Sequence, residues 1–192
     1  MRRASMRRVL ALGVLFFVAG LMDPAIARAD SKGEVNFIIG KKMLAQDWEP
    51  NEDQGEFGAE VTWGGSDWPI AFATDIVASS AGAEILGVEV NDRTAELAFG
   101  VRKVWEAGPA RPYIGGGIAK LEAERKANGV TVDDTTLGGW IGAGIFWRLG
   151  SRFNIGLAAR VSRGQVTLSG TDVEAGGTHA GLILGWGWPA QK

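Results

Sequence analysis

A serine, a histidine and a lysine are the residues whose types and spacing could support nucleophilic chemistry in this chain. His179 is the only histidine, and it begins a run of alternating residues near the carboxyl terminus. Ser162 has matching parity on the preceding run and Lys42 lies on the first run, so one sheet face would carry all three. A histidine that takes the proton of a serine hydroxyl activates it for attack. Ser162 and His179 therefore form the candidate catalytic pair.

Other catalytic signatures are missing from the sequence. There is no cysteine, and a single histidine leaves no His pair for a metal ion. Gly115 to Gly117 lack the Lys-Ser/Thr and the helix that follow in a phosphate loop. The residues around His179 do not contain the His-x-Ser-Asn motif of lipid A deacylases. We therefore predict no enzymatic activity, cofactor or metal, and we interpret His179 as a residue that hydrogen-bonds inside the fold.

A tryptophan repeat reveals the elements that must position these residues. Trp63, Trp105, Trp147 and Trp188 are separated by 42, 42 and 41 residues, and the first three each close an alternating run before a short turn. This pattern predicts antiparallel strands joined as hairpins. A WD-type propeller fits poorly, because none of the four tryptophans is followed by Asp and only two strands fit one period.

The connections between the predicted strands alternate in length. Eight strands are long enough to cross a hydrocarbon layer at a tilt. Short turns are predicted at 64–69, 106–112 and 149–152, and longer polar connections at about 44–54, 79–92, 125–135 and 163–177. Two stretches, 84–90 and 165–169, are β-prone and would extend strands beyond the membrane. We predict an all-β, eight-stranded antiparallel up-and-down transmembrane β-barrel with short periplasmic turns and longer extracellular loops.

The two faces of the predicted sheet differ in composition. One carries Phe, Ile, Leu, Val and Trp, which suits lipid, and the other carries Gly, Ala and charges of both signs, which suits a narrow filled lumen. A soluble lipocalin-like barrel that binds a small ligand would reverse the faces and is the alternative fold. We expect a membrane-interface aromatic girdle formed by Trp63, Trp68, Trp105, Tyr113, Trp147, Phe153 and Trp188. We expect a lumen charge network formed by Glu60, Asp75, Glu96, Arg102, Lys120, Glu122, Arg148 and Arg160.

The amino terminus has the pattern of a secretory signal peptide. A basic segment is followed by the apolar run 9–22 and by Ala27-Arg28-Ala29, a small-x-small cleavage site. We predict a cleaved signal peptide at 1–29 and a single barrel domain at 30–192. Residues 1–29 contain five Arg and one Asp, so of 20 basic and 22 acidic residues the remainder keeps 15 and 21, a net charge of −6. That charge makes nucleic acid an unsuitable partner.

Two segments carry a resemblance to a known group of proteins. Arg111 to Ile118 is similar to the entry into the fifth strand, and Gly138 to Ile145 to a later strand, of the OmpA-like, OmpX-like and opacity-protein-like outer-membrane β-barrels of Gram-negative bacteria. The resemblance covers about residues 33–188. It implies an outer-membrane location, contact with membrane lipid and lipopolysaccharide, and insertion by the barrel-assembly machinery, and we expect a monomer.

The resemblance also limits the expected function. It implies a structural, surface-interaction or adhesion-type role without catalysis, and a lumen too narrow for a substantial pore. The alternatives are an enzyme that modifies lipid A or phospholipid through Ser162 and His179, and the lipocalin-like ligand-binding barrel. Buried, paired lumen charges would favour the structural role, whereas exposed Ser162 and His179 in a cleft would favour the enzyme.

Overall fold

The computed structural model describes residues 31–188, most of which lie in β-strands. The strands are β1 (Ser31–Met43), β2 (Asp53–Gly65), β3 (Ala71–Ile85), β4 (Val88–Val104), β5 (Ala110–Ala127), β6 (Val130–Leu149), β7 (Phe153–Arg163), β8 (Gln165–Leu168), β9 (Thr171–Glu174) and β10 (Gly177–Trp188). The only helical element of this region is a 3-10 turn, Gln46–Trp48. No helix in residues 31–188 is long and apolar enough to span a membrane. The predicted signal peptide lies outside the described residues.

The eight long strands form a closed barrel in the order β1-β10-β7-β6-β5-β4-β3-β2. Every pairing is antiparallel, and β1 closes the ring against β10 with Phe37 opposite Leu184. Closure gives each strand of the barrel wall two neighbours and removes the open sheet edges there. The predicted eight-stranded up-and-down barrel is confirmed.

Side chains alternate between the outside and the lumen along each strand. On β1, Phe37 and Ile39 are exposed on the outside, whereas Asn36 and Ile38 are buried in the lumen. The same alternation on every long strand produces an outer band of exposed Ile, Leu, Val, Phe and Trp side chains. We call this the apolar band, and it has the composition expected of a lipid-facing barrel surface.

The connections at one end of the barrel are short, and those at the other end are extended. At the short-turn end, residues 66–70, 105–109 and 150–152 join β2 to β3, β4 to β5 and β6 to β7. At the other end, β3–β4 and β5–β6 stay paired up to Ile85 opposite Val88 and Ala127 opposite Val130. The polar loops predicted at 79–92 and 125–135 are thus mostly strand, because their polar side chains do not prevent backbone pairing. The β-prone stretch at 84–90 extends the strands as expected, whereas 165–168 forms β8 of a separate two-stranded hairpin with β9.

Two-residue turns close these extended hairpins. The turns are Leu86-Gly87 and Asn128-Gly129, and both residues of each turn have positive φ. Positive φ at both positions matches the twist of the flanking strands, which is why Asn-Gly is favoured there. Leu86, at φ 51°, is an unusual residue for this position and is fully exposed.

A plug covers the lumen at the extended end. Trp48, from the 3-10 turn, is almost completely buried and packs in an apolar cluster that includes Val166 and Leu168 from the β8–β9 hairpin. Its indole Nε1 donates to the carbonyl of Glu174 at 2.8 Å. The guanidinium of Arg125 lies over its ring at 5.1 Å. The first and last connections of this end therefore fold inward over the barrel mouth.

Candidate functional site in the barrel lumen

Ser162 and His179 lie side by side in the lumen on the paired strands β7 and β10. The Oγ of Ser162 is 3.1 Å from the Nε2 of His179, and a carboxylate oxygen of Glu56 on β2 contacts the Nδ1. The Ser162 hydroxyl, the His179 imidazole and the Glu56 carboxylate thus contact one another in the order of a Ser-His-acid triad. Glu56 was not among the predicted residues, although it has the same parity as the predicted lumen residue Glu60.

Ser162 also makes hydrogen bonds with groups outside this trio. Its hydroxyl donates to Oε1 of Glu96 at 2.8 Å and accepts from the backbone N–H of Gly177 at 3.2 Å. The Nε2 of His179 is also 3.3 Å from the same Glu96 oxygen. Each ring nitrogen of His179 therefore lies beside a carboxylate oxygen. The Ser162 hydroxyl thus directs its proton to Glu96, whereas the serine of a Ser-His-acid triad directs it to the imidazole.

The trio is also sealed from lipid and water. Ser162 is 0% exposed, His179 4% and Glu56 6%. Among residues 31–188, no group of three or more His, Asp or Glu is placed to hold a metal ion. The site is a buried polar network and not an open cleft.

Glu96, on β4, is the centre of this network. Its carboxylate receives the ammonium of Lys42 at 2.8 Å and a guanidinium nitrogen of Arg160 at 2.9 Å, in addition to the Ser162 hydroxyl. The Lys42 ammonium also donates to Thr94 Oγ1 and to a backbone carbonyl, each at 2.9 Å. Every ammonium proton of Lys42 thus has an acceptor, which is what burial of this charge requires.

Arg102 organises a second network in the middle of the lumen. One of its guanidinium nitrogens contacts both carboxylate oxygens of Asp75, at 3.0 and 2.9 Å, and lies 3.3 Å from Glu60. The hydroxyl of Tyr113 donates to the other Glu60 oxygen at 3.1 Å. The guanidinium also lies 5.8 Å from the ring centre of Trp140. Charges and rings fill the barrel cross-section at this level.

Arg148 forms a third network near the short-turn end. Its Nε donates to Asn154 at 2.6 Å and its Nη2 to Glu34 at 3.2 Å. Asn154 then donates to Asn36 at 2.9 Å, which links β6, β7 and β1. Charged and amide side chains therefore cross-link the lumen along its length.

Comparison with solved structures identifies this architecture. No family model matches the chain, and no curated protein matches it in sequence. The outer membrane protein OprG of Pseudomonas aeruginosa is similar in structure, with a TM-score of 0.62, 10% identity, and coverage of 84% of this chain and 97% of that one. The fold is that of the small outer-membrane β-barrels. Ail, the attachment invasion locus protein of Yersinia pestis, is also similar, with a TM-score of 0.53, 10% identity, and coverage of 83% and 98%.

Six of the seven predicted girdle residues lie on the outside of this outer-membrane-type barrel at the short-turn end. Five are exposed and Trp188 is half-buried. Trp186, which was not predicted, is also exposed here and makes edge contacts with the rings of Phe37 and Phe153. The exposed girdle residues are Trp63, Trp68, Trp105, Trp147 and Phe153.

The prediction for Tyr113 was wrong, because this residue is buried in the lumen. The predictions that placed Lys120 and Glu122 in the lumen were also wrong, since both face outward while Leu121 is buried. One inversion of parity on β5 explains all three errors. Gly115 to Gly117 have no side chains, so this run does not show which face of β5 is the inner one. Lys120 and Glu122, which follow it, were assigned to the lumen because they are charged.

The different environments of the two faces of the sheet explain the orientation of β5. Leu121 lies with Trp140 in the apolar cluster that contains Trp48 of the plug, and the Tyr113 hydroxyl donates to Glu60 inside the lumen. Lys120 and Glu122 follow Ile118, where β5 leaves the apolar band, and can remain in contact with water. The other predicted lumen charges lie inside the barrel, namely Glu60, Asp75, Glu96, Arg102, Arg148 and Arg160.

Proposed function

We propose that this chain is an outer-membrane barrel protein without catalytic activity, with a structural or surface-interaction role. The observation that carries the proposal is the filled lumen, where Glu96 and Arg102 each bind several buried partners and Trp48 covers one end. A lumen cross-linked in this way supports a rigid, closed barrel more than it supports a channel or an enzyme. The fold shared with outer-membrane barrels supports the location.

The outer surface supports a defined orientation in the membrane. The apolar band would contact lipid, and the girdle tryptophans would lie at the periplasmic interface beside the short turns. Outward basic side chains follow the band at the other end, where lipopolysaccharide phosphates would lie. They are Lys41, Arg93, Lys120 and Arg163. Lipid and lipopolysaccharide are thus the proposed contacts of the barrel wall, and the barrel-assembly machinery is the proposed partner in insertion.

The extended hairpins support a role at the cell surface. β3, β4, β5 and β6 remain paired beyond the band and form a four-stranded sheet that projects from one side of the barrel. Its tips expose Ile85, Leu86 and Val130. Exposed apolar side chains at the tips of a rigid sheet suit contact with another surface. The name of Ail, attachment invasion locus protein, describes attachment, and an adhesion-type role is the form of surface interaction that we propose here.

The two alternatives receive less support from the site. An enzyme that uses Ser162 and His179 needs an open cleft, whereas both residues are buried. A lipocalin-like binder needs an apolar cavity, whereas charged side chains fill the lumen around Arg102. We therefore keep the structural and surface-interaction role as the single proposal.

Labelling of single cysteines in intact cells tests the location and the orientation. The natural chain has no cysteine, so Leu86→Cys reports the hairpin tip and Ser151→Cys reports a short turn. We expect a membrane-impermeant maleimide to label Leu86→Cys in intact cells and Ser151→Cys only after the outer membrane is permeabilised. Membrane-fraction protein should also migrate differently on gels before and after heating. Recovery of soluble protein from the periplasm, or labelling of Ser151→Cys in intact cells, would contradict the proposal.

A further inference from the structure

The barrel mouth at the short-turn end contains a cavity that the proposed function does not use. Its volume is about 320 Å³, and its lining residues include Trp68 and Trp188 at the rim of the barrel. We call it the vestibule. Basic residues that line it outnumber acidic ones by five to two: Lys32, Arg102, Lys103, Arg111 and Arg148 against Glu34 and Glu106. The vestibule therefore presents an excess of positive charge.

Arg111 differs from the other two buried cations of the vestibule, Arg102 and Arg148, because it has no carboxylate partner in an ion pair. Arg102 binds Asp75 deeper in the lumen, and Arg148 binds Glu34. Arg111 is only 5% exposed, yet no carboxylate in residues 31–188 lies within ion-pair distance of its guanidinium. Its Nη1 donates to the backbone carbonyls of Gly108 and Ala110. A buried guanidinium without a directly paired carboxylate is costly, so an anion at this position would be stabilised.

The strand register places a second arginine, Arg148, on the same inner face of the barrel wall as Arg111. On β5 and β6, Arg111 is opposite Phe146, and Arg148 is two residues further along the same inner face. Diagonal neighbours of this kind have Cα atoms about 7–8 Å apart, within reach of long side chains. Two cations on one wall repel each other, and an anion that contacts both would remove that repulsion. Arginine forks match the oxygens of a phosphate group.

We propose that the vestibule binds a phosphate-type oxyanion between Arg111 and Arg148. The cavity is large enough for inorganic phosphate or a small phosphate monoester. The same chemistry is available from two sources: a free phosphate compound in the periplasm, or the headgroup of a phospholipid in the adjacent leaflet. The inference goes beyond the proposed function, because it concerns the end of the barrel opposite the projecting hairpins.

Calorimetric titration with inorganic phosphate tests the site. The purified protein is held in phosphate-free dodecyl maltoside at low ionic strength, and we expect saturable binding of one phosphate. Arg111→Gln should weaken binding tenfold or more, because it removes charge-assisted hydrogen bonds. The matched control is Arg152→Gln, an exposed arginine of a neighbouring short turn that does not line the vestibule, and it should change the affinity less than twofold.

A second variant distinguishes loss of the anion site from misfolding of the barrel. Arg111 is buried, so folding of Arg111→Gln is checked by its gel migration before and after heating. Lys103→Gln changes a partly exposed residue of the vestibule and should weaken binding several-fold in a folded barrel. Absence of saturable phosphate binding to the natural protein, or equal affinities of the natural protein, Arg111→Gln and Lys103→Gln, would overturn the inference.

Repeating the titration in phospholipid nanodiscs separates the two sources. Binding that persists in nanodiscs supports a free phosphate compound as the occupant. Binding that is present in maltoside but lost in nanodiscs supports a phospholipid headgroup that already fills the site. Both results require the anion site. Absence of phosphate binding in maltoside would contradict the inference.

Discussion

The ammonium nitrogen of Lys42 lies 2.8 Å from a carboxylate oxygen of Glu96, and only 1% of either side chain is exposed. This ion pair joins β1 to β4 across the lumen, so it connects strands that are not neighbours in the barrel. Removing one partner of a buried ion pair leaves the other charge uncompensated. The pair is therefore the most informative place to measure what the lumen contributes to stability.

We expect Lys42→Met to lower the free energy of unfolding by about 3 kcal/mol. Arg160 stays beside Glu96 and limits the loss. Urea unfolding in lipid vesicles, followed by tryptophan fluorescence, measures the change. The double variant Lys42→Met with Glu96→Gln should be less destabilised than the sum of the two single variants. Strict additivity would show that the two groups do not interact.

Tyr113→Phe tests the placement of Tyr113 in the lumen. Loss of the hydroxyl deprives Glu60 of a hydrogen bond inside the barrel, and we expect a loss of about 1–2 kcal/mol in the free energy of unfolding. Phe153→Tyr, on the exposed girdle, is the comparison and should change stability by less than that. If Tyr113→Phe proved neutral, the hydroxyl would have no structural role.

His179→Ala and Ser162→Ala test the absence of catalysis. Both residues belong to a buried network, so we expect both variants to be less stable but to leave the lipid A and phospholipid profiles of the cells unchanged. Mass spectrometry of extracted lipids is the measurement. Thr178→Ala, which changes an outward-facing neighbour, controls for expression. A lipid species that disappears in both network variants and persists in the control would support an enzyme.

Leu86→Asn tests the strained hairpin tip. Asparagine tolerates the positive φ of this position better than leucine, so the substitution should stabilise the β3–β4 hairpin by about 1 kcal/mol. Amide hydrogen exchange of residues 81–91 measures the effect and should become slower. Asn128→Leu makes the reverse change in the β5–β6 hairpin and should accelerate exchange there.

Asp134 should make the contact between β6 and the β8–β9 hairpin sensitive to acid. It lies on the extended part of β6, outside the apolar band, and accepts a hydrogen bond from the backbone N–H of Thr167 at 2.8 Å. That bond, together with one from the Thr135 N–H, lowers the pKa of the Asp134 carboxyl. A lowered folded-state pKa means that the contact is favoured above about pH 4, the ordinary range of an aspartate, and is lost as the pH falls through the folded value.

The measurement for Asp134 is the NMR signal of the Thr167 amide between pH 5 and pH 2. We expect a shift and faster exchange at the acidic end. Asp134→Asn should remove the pH dependence, whereas Asp133→Asn should retain it, since Asp133 lies on the same strand without this bond. A Thr167 signal with the same pH dependence in both variants would contradict the assignment.

The sequence by itself determined the barrel and most of its sidedness. Alternation with period two is read directly from neighbouring residues, and turn signals such as Gly64-Gly65-Ser66-Asp67 and Gly150-Ser151 lie at or next to the points where the strands reverse. The tryptophan spacing indicated one strand pair per period and put Trp63, Trp105, Trp147 and Trp188 at one end. These are local properties of the chain, and a closed sheet of alternating strands preserves them.

Only the tertiary structure decided which charges meet inside the barrel. Glu56 approaches His179 from a strand distant in sequence, and Lys42 reaches Glu96 across the lumen. Such contacts depend on the strand register and on the tilt of the closed barrel, which no local pattern encodes. The orientation of β5 also came from packing, since Leu121 had a space to fill beneath Trp48 and three glycines concealed the parity. Sequence therefore determined the faces of most strands but not of β5, whereas closure of the barrel determined the partners.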